Sequence, residues 1–205
     1  MNWTMALWGL GAIALYAVTL GGLAQALPPL LAYGVANVGY CAVLAFAIFQ
    51  GTSEADRHRL IDYVKPPGWL VALAALPVIV MAIIAMVLND VAIPVPFYLF
   101  IALGALGQAL VAEFFWRAAL IPQPDGAALR MSFLLSTAAA LPLVLAPGLA
   151  MAGGPLAAIL GSALVNALAL ALRQRTGTLA AGIAMQVALS LFVLTDLVSR
   201  NPVGF

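Results

Sequence analysis

Seven long apolar stretches constrain this sequence more than any other feature. A transmembrane helix needs about 20 mostly apolar residues, and seven segments meet that requirement. Proline, glycine and polar residues separate the segments, as expected of connections between spans. The sequence therefore predicts an all-α polytopic membrane protein with about seven transmembrane helices in a single domain over residues 1–205. The predicted spans are 4–26, 30–50, 68–88, 95–118, 128–147, 150–172 and 178–198.

The composition excludes most classes of soluble protein. Only 7% of the residues are charged and 65% are hydrophobic, whereas soluble domains carry about 25% charged residues. Eight basic residues against seven acidic ones leave a net charge of +1, so the chain has no basic surface for nucleic acid. A soluble enzyme, a nucleic-acid-binding protein and a disordered chain are therefore excluded.

The basic residues predict how the chain crosses the membrane. In a seven-span topology, seven of the eight fall on one side, and only Arg200 falls on the other. Because cytoplasmic loops carry an excess of lysine and arginine, we expect the N-terminus in the cytoplasm and the C-terminus outside. The seven residues on the cytoplasmic side are Arg57, Arg59, Lys65, Arg117, Arg130, Arg173 and Arg175.

The longest polar connection, residues 51–67, is a predicted cytoplasmic loop that carries a short helix. Leu60, Ile61 and Val64 would share one face of that helix, with charged residues elsewhere. This pattern is typical of an amphipathic helix that lies on the membrane surface. A solvated loop with one helical turn is the alternative.

Ionisable residues inside a bilayer are costly, so each is a candidate functional residue. Glu113 and Arg117 stand near the cytoplasmic end of the fourth span, and their i,i+4 spacing places both on one helix face. This spacing alone favours a structural ion pair over a carboxylate in a functional pocket. Asp90 lies in an outer loop and Asp196 near the outer end of the last span, where water can reach both. The only histidine, His58, lies in the 51–67 loop, so we expect neither an intramembrane metal site nor a histidine dyad.

Other polar and small residues bear on helix packing. Intramembrane polar side chains usually form interhelical hydrogen bonds, and small residues at four-residue spacing favour close packing within the chain or with a partner. Pro142 should bend the fifth span unless neighbouring groups satisfy the freed carbonyl. The polar residues are Asn37, Gln108, Ser132, Ser136, Thr137, Ser162, Asn166, Gln186 and Ser190, and the small pairs on the sixth span are Ala157/Gly161 and Ala158/Ser162.

Three short motifs within residues 95–198 carry a family resemblance. Ala112–Arg117 reads AEFFWR, Ser136–Pro142 reads STAAALP, and Arg175–Ala181 reads RTGTLAA. Their order and spacing resemble the CPBP family, which comprises the CAAX prenyl endopeptidases and bacteriocin-processing membrane proteins and is also called the Abi family. The resemblance implies a CPBP-like core over 95–198.

The first two motifs keep part of the family pattern. In the family's EExxxR motif, Glu113 and Arg117 match, but Ala112 stands at the first glutamate. In the FxxxH motif, Ser136 stands at the phenylalanine and Ala140 at the histidine. The sequence therefore retains one of two glutamates and lacks the first histidine.

The third motif is followed in the family by HxxxN, where this chain has Gln186 and Ser190. In the family, the glutamates activate a water, and the histidines and asparagine help to bind it and stabilise the oxyanion. General-base hydrolysis requires both a base and aimed donors. A single carboxylate already paired with an arginine is a weaker base. The resemblance thus implies a protease-like frame that lacks most of the catalytic groups.

Three functions follow from this pattern. We expect a catalytically silent CPBP-like protein that acts as a scaffold or accessory subunit and binds partner transmembrane helices. The alternatives are an intramembrane endopeptidase that uses Glu113 and Arg117, and a small transporter or lipid-binding protein. We expect Ala140 and Gln186 to approach Glu113 from the fifth and seventh helices. The expected partners are membrane lipid and other integral proteins of a bacterial inner membrane, with no cofactor.

Overall fold

The computed structural model of the protein describes residues 2–88, 93–123, 125–146 and 148–201, and Asp90 lies outside these ranges. The described residues form helices and short connections without strands, with a π-helical turn after α5 and a 3₁₀ turn after α6. The α-helices are α1 (Trp3–Leu23), α2 (Pro29–Gly51), α3 (Glu54–Leu60), α4 (Gly68–Val87), α5 (Val95–Phe114), α6 (Gly126–Ala138), α7 (Gly154–Thr176) and α8 (Ala180–Arg200), and the turns are Phe115–Ala119 and Leu141–Leu145.

Seven helical segments of the described chain are long and apolar enough to cross a membrane. The π-helical turn extends the fourth span to Val95–Ala119, and the 3₁₀ turn extends the fifth to Gly126–Val144. The prediction of an all-α, polytopic fold with about seven spans is confirmed. Leu76 and Val80 of α4 are more than half exposed, because lipid surrounds the outward faces of such helices.

The sixth span begins and ends four residues later than the sequence predicts. The prediction was 150–172, whereas α7 spans Gly154–Thr176. Gly153, immediately before the helix, has a φ of 70°, and this left-handed conformation prevents an earlier helical start. Gly177 then ends the helix in the same conformation, as glycine commonly does at a helix C-terminus.

The fifth span is interrupted at Pro142. The helix α6 ends at Ala138, and a 3₁₀ turn that contains Pro142 completes the span. Proline lacks an N–H and its ring crowds the preceding turn, so Pro142 weakens the α-helical ladder where α6 ends, whereas α4 continues through Pro77. The interruption places Ala140 in a non-helical connection between the two segments.

The helix in the 51–67 connection is shorter than its predicted apolar face requires. Only Leu60 belongs to α3, while Ile61 and Val64 follow the helix and are 47% and 43% exposed. The carbonyl of Leu60 accepts a hydrogen bond of 2.6 Å from the N–H of Leu179, and this contact replaces continuation of the helix. The predicted shared face of Leu60, Ile61 and Val64 is therefore wrong.

Hydrogen bonds between connections identify the helix ends that lie together. The Asn2 N–H donates to the Leu120 carbonyl at 2.9 Å, so the N-terminus lies beside the connection after α5. The 51–67 connection meets the connection after α7 at this same end. At the other end, the Asn201 side chain donates to and accepts from the backbone of Ala150, at 2.7 and 2.8 Å. The two ends of the described chain thus lie on opposite sides of the bundle, as seven spans require.

The helix α8 packs against α4, α5 and α7, and α1 packs against α2. Near the end of α5, the buried ring of Trp116 lies against α1 at Gly9. A Cβ atom on Gly9 would approach the Trp116 ring to 2.9 Å. Glycine at this position therefore permits the close contact that holds the end of α5.

Candidate functional site

The candidate site begins where α5 widens into the π-helical turn Phe115–Ala119. The turn is closed by a hydrogen bond of 3.0 Å from the Leu120 N–H to the Phe115 carbonyl, five residues back. Single π-helical turns of this kind occur frequently at functional sites. The turn carries Arg117 into the interior, where its side chain is completely buried.

Side chains from two other helices hold the widened turn. The Ser132 hydroxyl on α6 donates to the Trp116 carbonyl at 2.6 Å. The Arg173 Nε–H on α7 donates to the Arg117 carbonyl at 3.4 Å. These bonds satisfy carbonyls that the irregular turn exposes, as membrane-embedded backbone requires. The sequence reading of Arg173 as an orientation signal missed this structural contact.

The carboxylate of Glu113 lies at the centre of the site. Arg117 Nη1 lies 3.6 Å from Glu113 Oε1, and neither side chain is exposed. The same carboxylate oxygen accepts a hydrogen bond of 3.4 Å from Gln186 Nε2 on α8. A Cβ atom on Gly182 would approach Glu113 Oε2 to 2.6 Å, so the absence of a side chain there makes room for the carboxylate.

Asn166, on α7, connects Arg117 to polar side chains of α6 and α7. Its Oδ1 accepts a short hydrogen bond from Arg117 Nη2. Its Nδ2 donates to Ser162 Oγ at 3.2 Å and to Thr137 Oγ1 at 3.5 Å. Through the side chains of Glu113, Arg117, Thr137, Asn166 and Gln186, the network thus joins four transmembrane segments.

The sequence analysis identified Asn166 only as an interhelical polar residue. One signal could have singled it out. Ser162, Asn166 and Arg173 follow one another at spacings of four and seven residues, so they share one face of α7. A repeated polar face within a membrane span indicates that the opposing helix also carries polar groups.

A cavity of about 610 Å³ lies beside the network. Four positions from the degenerate motifs, Ala112, Ala140, Gln186 and Ser190, line its wall together with Arg117. The structure therefore brings these positions together, from α5, the α6 connection and α8. Glu113 meets this wall through its contacts with Arg117 and Gln186.

The small residues of α7 also line this cavity. Ala157, Ala158, Gly161 and Ser162 form part of its wall, and nothing lies within 4 Å of a Cβ built on Gly161. The expectation of close packing at these residues is therefore not met at Gly161 within the described chain. The absence of large side chains leaves space between α7 and its neighbours.

Asp196 is buried, with 2% of its surface exposed. The expectation that water reaches it is therefore wrong. Its Oδ1 lies 2.6 Å from Arg200 Nε, and its Oδ2 accepts a hydrogen bond of 3.1 Å from the Ala152 N–H. Asp196 therefore ties α8 to the chain just before α7, at the end of the bundle opposite to the N-terminus.

The remaining residues that the sequence analysis considered lie away from the buried network or carry no functional group. His58 lies on α3, where its side chain is 73% exposed and 3.7 Å from Glu54, away from the buried network. The alanines at 112 and 140 supply no functional group to the cavity. Within the described residues, no three histidine, cysteine or acidic side chains form a group that could hold a metal ion.

Comparisons with protein-family models, with curated proteins and with solved structures found no match for this chain.

Proposed function

We propose that the chain is a non-catalytic membrane protein with a CPBP-like frame, which acts as a scaffold or accessory subunit. The observation that carries the proposal is the engagement of Glu113. Its carboxylate is buried, paired with Arg117 and bonded to Gln186. A general base must take a proton from a positioned water. The Oε1 atom of this carboxylate is engaged by Arg117 and Gln186, and its Oε2 atom is buried without a hydrogen-bond partner among the described residues, so no side chain there positions a water.

The convergence of Ala112, Ala140, Gln186 and Ser190 on one cavity supports the CPBP-like frame. The resemblance places a glutamate at Ala112, histidines at Ala140 and Gln186, and an asparagine at Ser190. The same convergence argues against the endopeptidase alternative, because the residues that should activate water and stabilise an oxyanion are absent. The frame then serves binding rather than turnover.

The partners in this proposal are transmembrane helices of other integral membrane proteins. The exposed faces of α1 and α2 favour such contacts. Gly11 of α1 has open space around its Cβ position, and exposed small residues let a second helix approach closely. Val18 and Val38 are 74% and 65% exposed on the same two helices.

The proposal also includes location and orientation. The protein lies in a bacterial inner membrane, with its N-terminus in the cytoplasm and its C-terminus outside, because seven of the eight basic residues then lie in cytoplasmic loops or toward the cytoplasmic ends of the spans. A reporter enzyme fused after Phe205 should show activity on the extracytoplasmic side of the membrane. Reporter activity on the cytoplasmic side would contradict the orientation.

Site-specific photo-crosslinking in native membranes tests the scaffold function. A photoreactive residue at Val18 or Val38 should give discrete adducts with the same partner protein. The matched position is Ile83, which is 51% exposed on α4 and should give lipid adducts alone. If all three positions give only lipid adducts, or the same diffuse set of proteins, the scaffold function is wrong.

A further inference from the structure

Uncharged polar side chains from three helices line the cavity without a hydrogen-bond partner. Within the described residues, neither Asn37 of α2 nor Ser190 of α8 forms a side-chain hydrogen bond. The hydroxyl of Tyr16 on α1 likewise has no such bond, although the residue is only 4% exposed. Unlike Arg117 Nε and Glu113 Oε2, these polar atoms are not sealed off by surrounding atoms. They therefore remain accessible in the cavity.

These open polar groups lie deep in the membrane. Asn37 is eight residues beyond the start of α2 at Pro29, which corresponds to about 12 Å at 1.5 Å per residue. Ser190 is ten residues from either end of α8, or about 15 Å. The hydrocarbon core is about 30 Å thick, and a polar group without a partner at this depth costs free energy. Water or the polar part of a ligand must therefore supply the partners.

The charged side chains of the cavity wall are already paired. Among the described residues that line the cavity, Arg117 and Asp196 are the charged ones. Arg117 lies 3.6 Å from Glu113, and Asp196 lies 2.6 Å from Arg200. A further charge at this depth would be costly because no opposite charge remains to balance it. The polar part of a ligand in this cavity is therefore uncharged.

The cavity opens sideways between α4 and α7. Leu76, Val80 and Leu164 line it and are each more than half exposed, which places them at its rim. The helix α4 packs against α7 and α8, whereas α2 packs against α1 and α5. The cavity thus extends from a polar inner end at α1 and α2 to an apolar rim at α4 and α7.

The rim lies at the depth of the hydrocarbon core. Leu76 and Val80 are 8 and 12 residues beyond the start of α4 at Gly68, which corresponds to about 12–18 Å at 1.5 Å per residue. A molecule that enters between α4 and α7 therefore comes from the lipid, and the part of it that lies at the rim must be apolar.

We propose that this cavity binds one uncharged amphiphile of the membrane, a molecule with a hydroxyl or amide head and a single hydrocarbon chain. The head exchanges hydrogen bonds with the open polar side chains of the inner end, Asn37 among them, and the chain leaves between α4 and α7. A volume of about 610 Å³ lies within the range of about 300–1,000 Å³ that is usual for ligand sites. The inference does not depend on the scaffold function.

Photoaffinity labelling of the purified full-length protein in nanodiscs of dioleoylphosphatidylcholine tests this site. The probe is a long-chain alcohol that carries a diazirine close to its hydroxyl group, and mass spectrometry counts and locates the adducts. We expect saturable labelling of one molecule per chain on residues that line the cavity. Unlabelled oleyl alcohol and oleamide should compete, whereas octadecene, which has no head, and oleyl sulfate, which has a charged one, should not.

A polar substitution and its control test recognition of the head. Asn37→Leu keeps the size of the side chain and removes its open donor and acceptor. Thr195→Val also removes a polar group from a span, but the Thr195 hydroxyl bonds to the Leu191 carbonyl of its own helix at 2.7 Å and lies outside the cavity wall. We expect Asn37→Leu to weaken competition by oleyl alcohol and oleamide about two- to tenfold, as loss of a hydrogen bond does, and Thr195→Val to behave as the wild type does.

A pair of glycine variants tests the path of the chain. Gly161→Leu places a side chain in the cavity, whereas Gly107→Leu adds the same side chain to the exposed surface of α5, and both positions have open space at Cβ. We expect Gly161→Leu to reduce saturable labelling about tenfold or more, as overfilling a site does, and Gly107→Leu to leave it unchanged. Should Gly161→Leu fail to fold, the comparison of Asn37→Leu with Thr195→Val decides alone.

The competitors also identify the head. Competition by oleyl alcohol alone supports a hydroxyl head, competition by oleamide alone supports an amide head, and competition by both supports the shared uncharged chemistry. Equal competition by octadecene or oleyl sulfate would overturn the proposal, as would equal behaviour within either pair of folded variants. Labelling that does not saturate would also overturn it and leave a cavity that holds only water.

Discussion

Replacing Glu113 with glutamine tests how strongly the buried pair holds the bundle together. Glutamine keeps the size of the side chain and an oxygen that can accept from Gln186, but it removes the charge that faces Arg117. The two charged groups lie 3.6 Å apart. At an effective dielectric constant of about 20, the lost attraction is about 4.6 kcal/mol.

The observed loss depends on what remains around Arg117. In the variant, Asn166 still accepts from Arg117 Nη2, but no acidic side chain of the network balances the guanidinium. Breaking a buried ion pair by removing one partner typically costs about 3–5 kcal/mol, which agrees with the distance-based value. We therefore expect Glu113→Gln to lower the free energy of unfolding by about 3–5 kcal/mol.

Reversible unfolding in mixed micelles, with increasing anionic detergent and tryptophan fluorescence as the signal, measures this change. Glu54→Gln is the matched control, because Glu54 is 82% exposed beside His58, and its unfolding midpoint should equal that of the wild type. Arg117→Met combined with Glu113→Gln should be less destabilised than the sum of the two single variants, since neither charge is then left alone. An unchanged midpoint for Glu113→Gln would refute the reasoning.

Three further predictions concern the packing and the helix ends. Gly9→Ala should destabilise the fold by about 1–3 kcal/mol, because its Cβ would meet Trp116 at 2.9 Å, whereas Gly11→Ala, with nothing within 4 Å, should not, and the unfolding midpoints of both variants check this. Asn201→Ala should speed hydrogen exchange at the N-terminal end of α7, since it removes both bonds to the preceding connection. The pKa of Asp125 is lowered, chiefly by a hydrogen bond from a backbone N–H in the first turn of α6. The ionised Asp125 cap therefore stabilises α6 fully at pH values above the ordinary carboxyl pKa, and this stabilisation is lost as the pH falls through the lowered pKa. Asp125→Asn should therefore flatten the acid limb of the unfolding midpoint plotted against pH.

The fold could be predicted from the sequence because the bilayer requires every span to contain about 20 mostly apolar residues. Length and apolar composition alone locate the seven spans, and the boundaries of α2 differ from the predicted 30–50 by one residue at each end. The predicted start of α7 at residue 150 is wrong because the residues immediately before Gly154 are apolar but not helical. The left-handed conformation at Gly153 sets that helix start, and hydropathy carries no information about φ.

The candidate site could be predicted only in part. The i,i+4 spacing of Glu113 and Arg117 places them on one face, but it does not reveal the π-helical turn that carries Arg117. The polar face of α7 indicates a polar neighbour, but the sequence does not show that Arg117 is the residue that Asn166 contacts, because that contact is tertiary. Asp196 was misjudged because its hydrogen bond from the Ala152 N–H is also a tertiary contact, although the i,i+4 spacing to Arg200 could have indicated the ion pair.

The central claim is that Glu113 belongs to a bound, non-catalytic network. The most direct test is the rate at which the purified full-length chain, reconstituted in lipid vesicles, cleaves a quenched fluorescent peptide that carries a prenyl group. The account predicts that the wild type and Glu113→Gln both give the rate of protein-free vesicles. Turnover by the wild type that Glu113→Gln abolishes, and that Glu54→Gln retains, would contradict it.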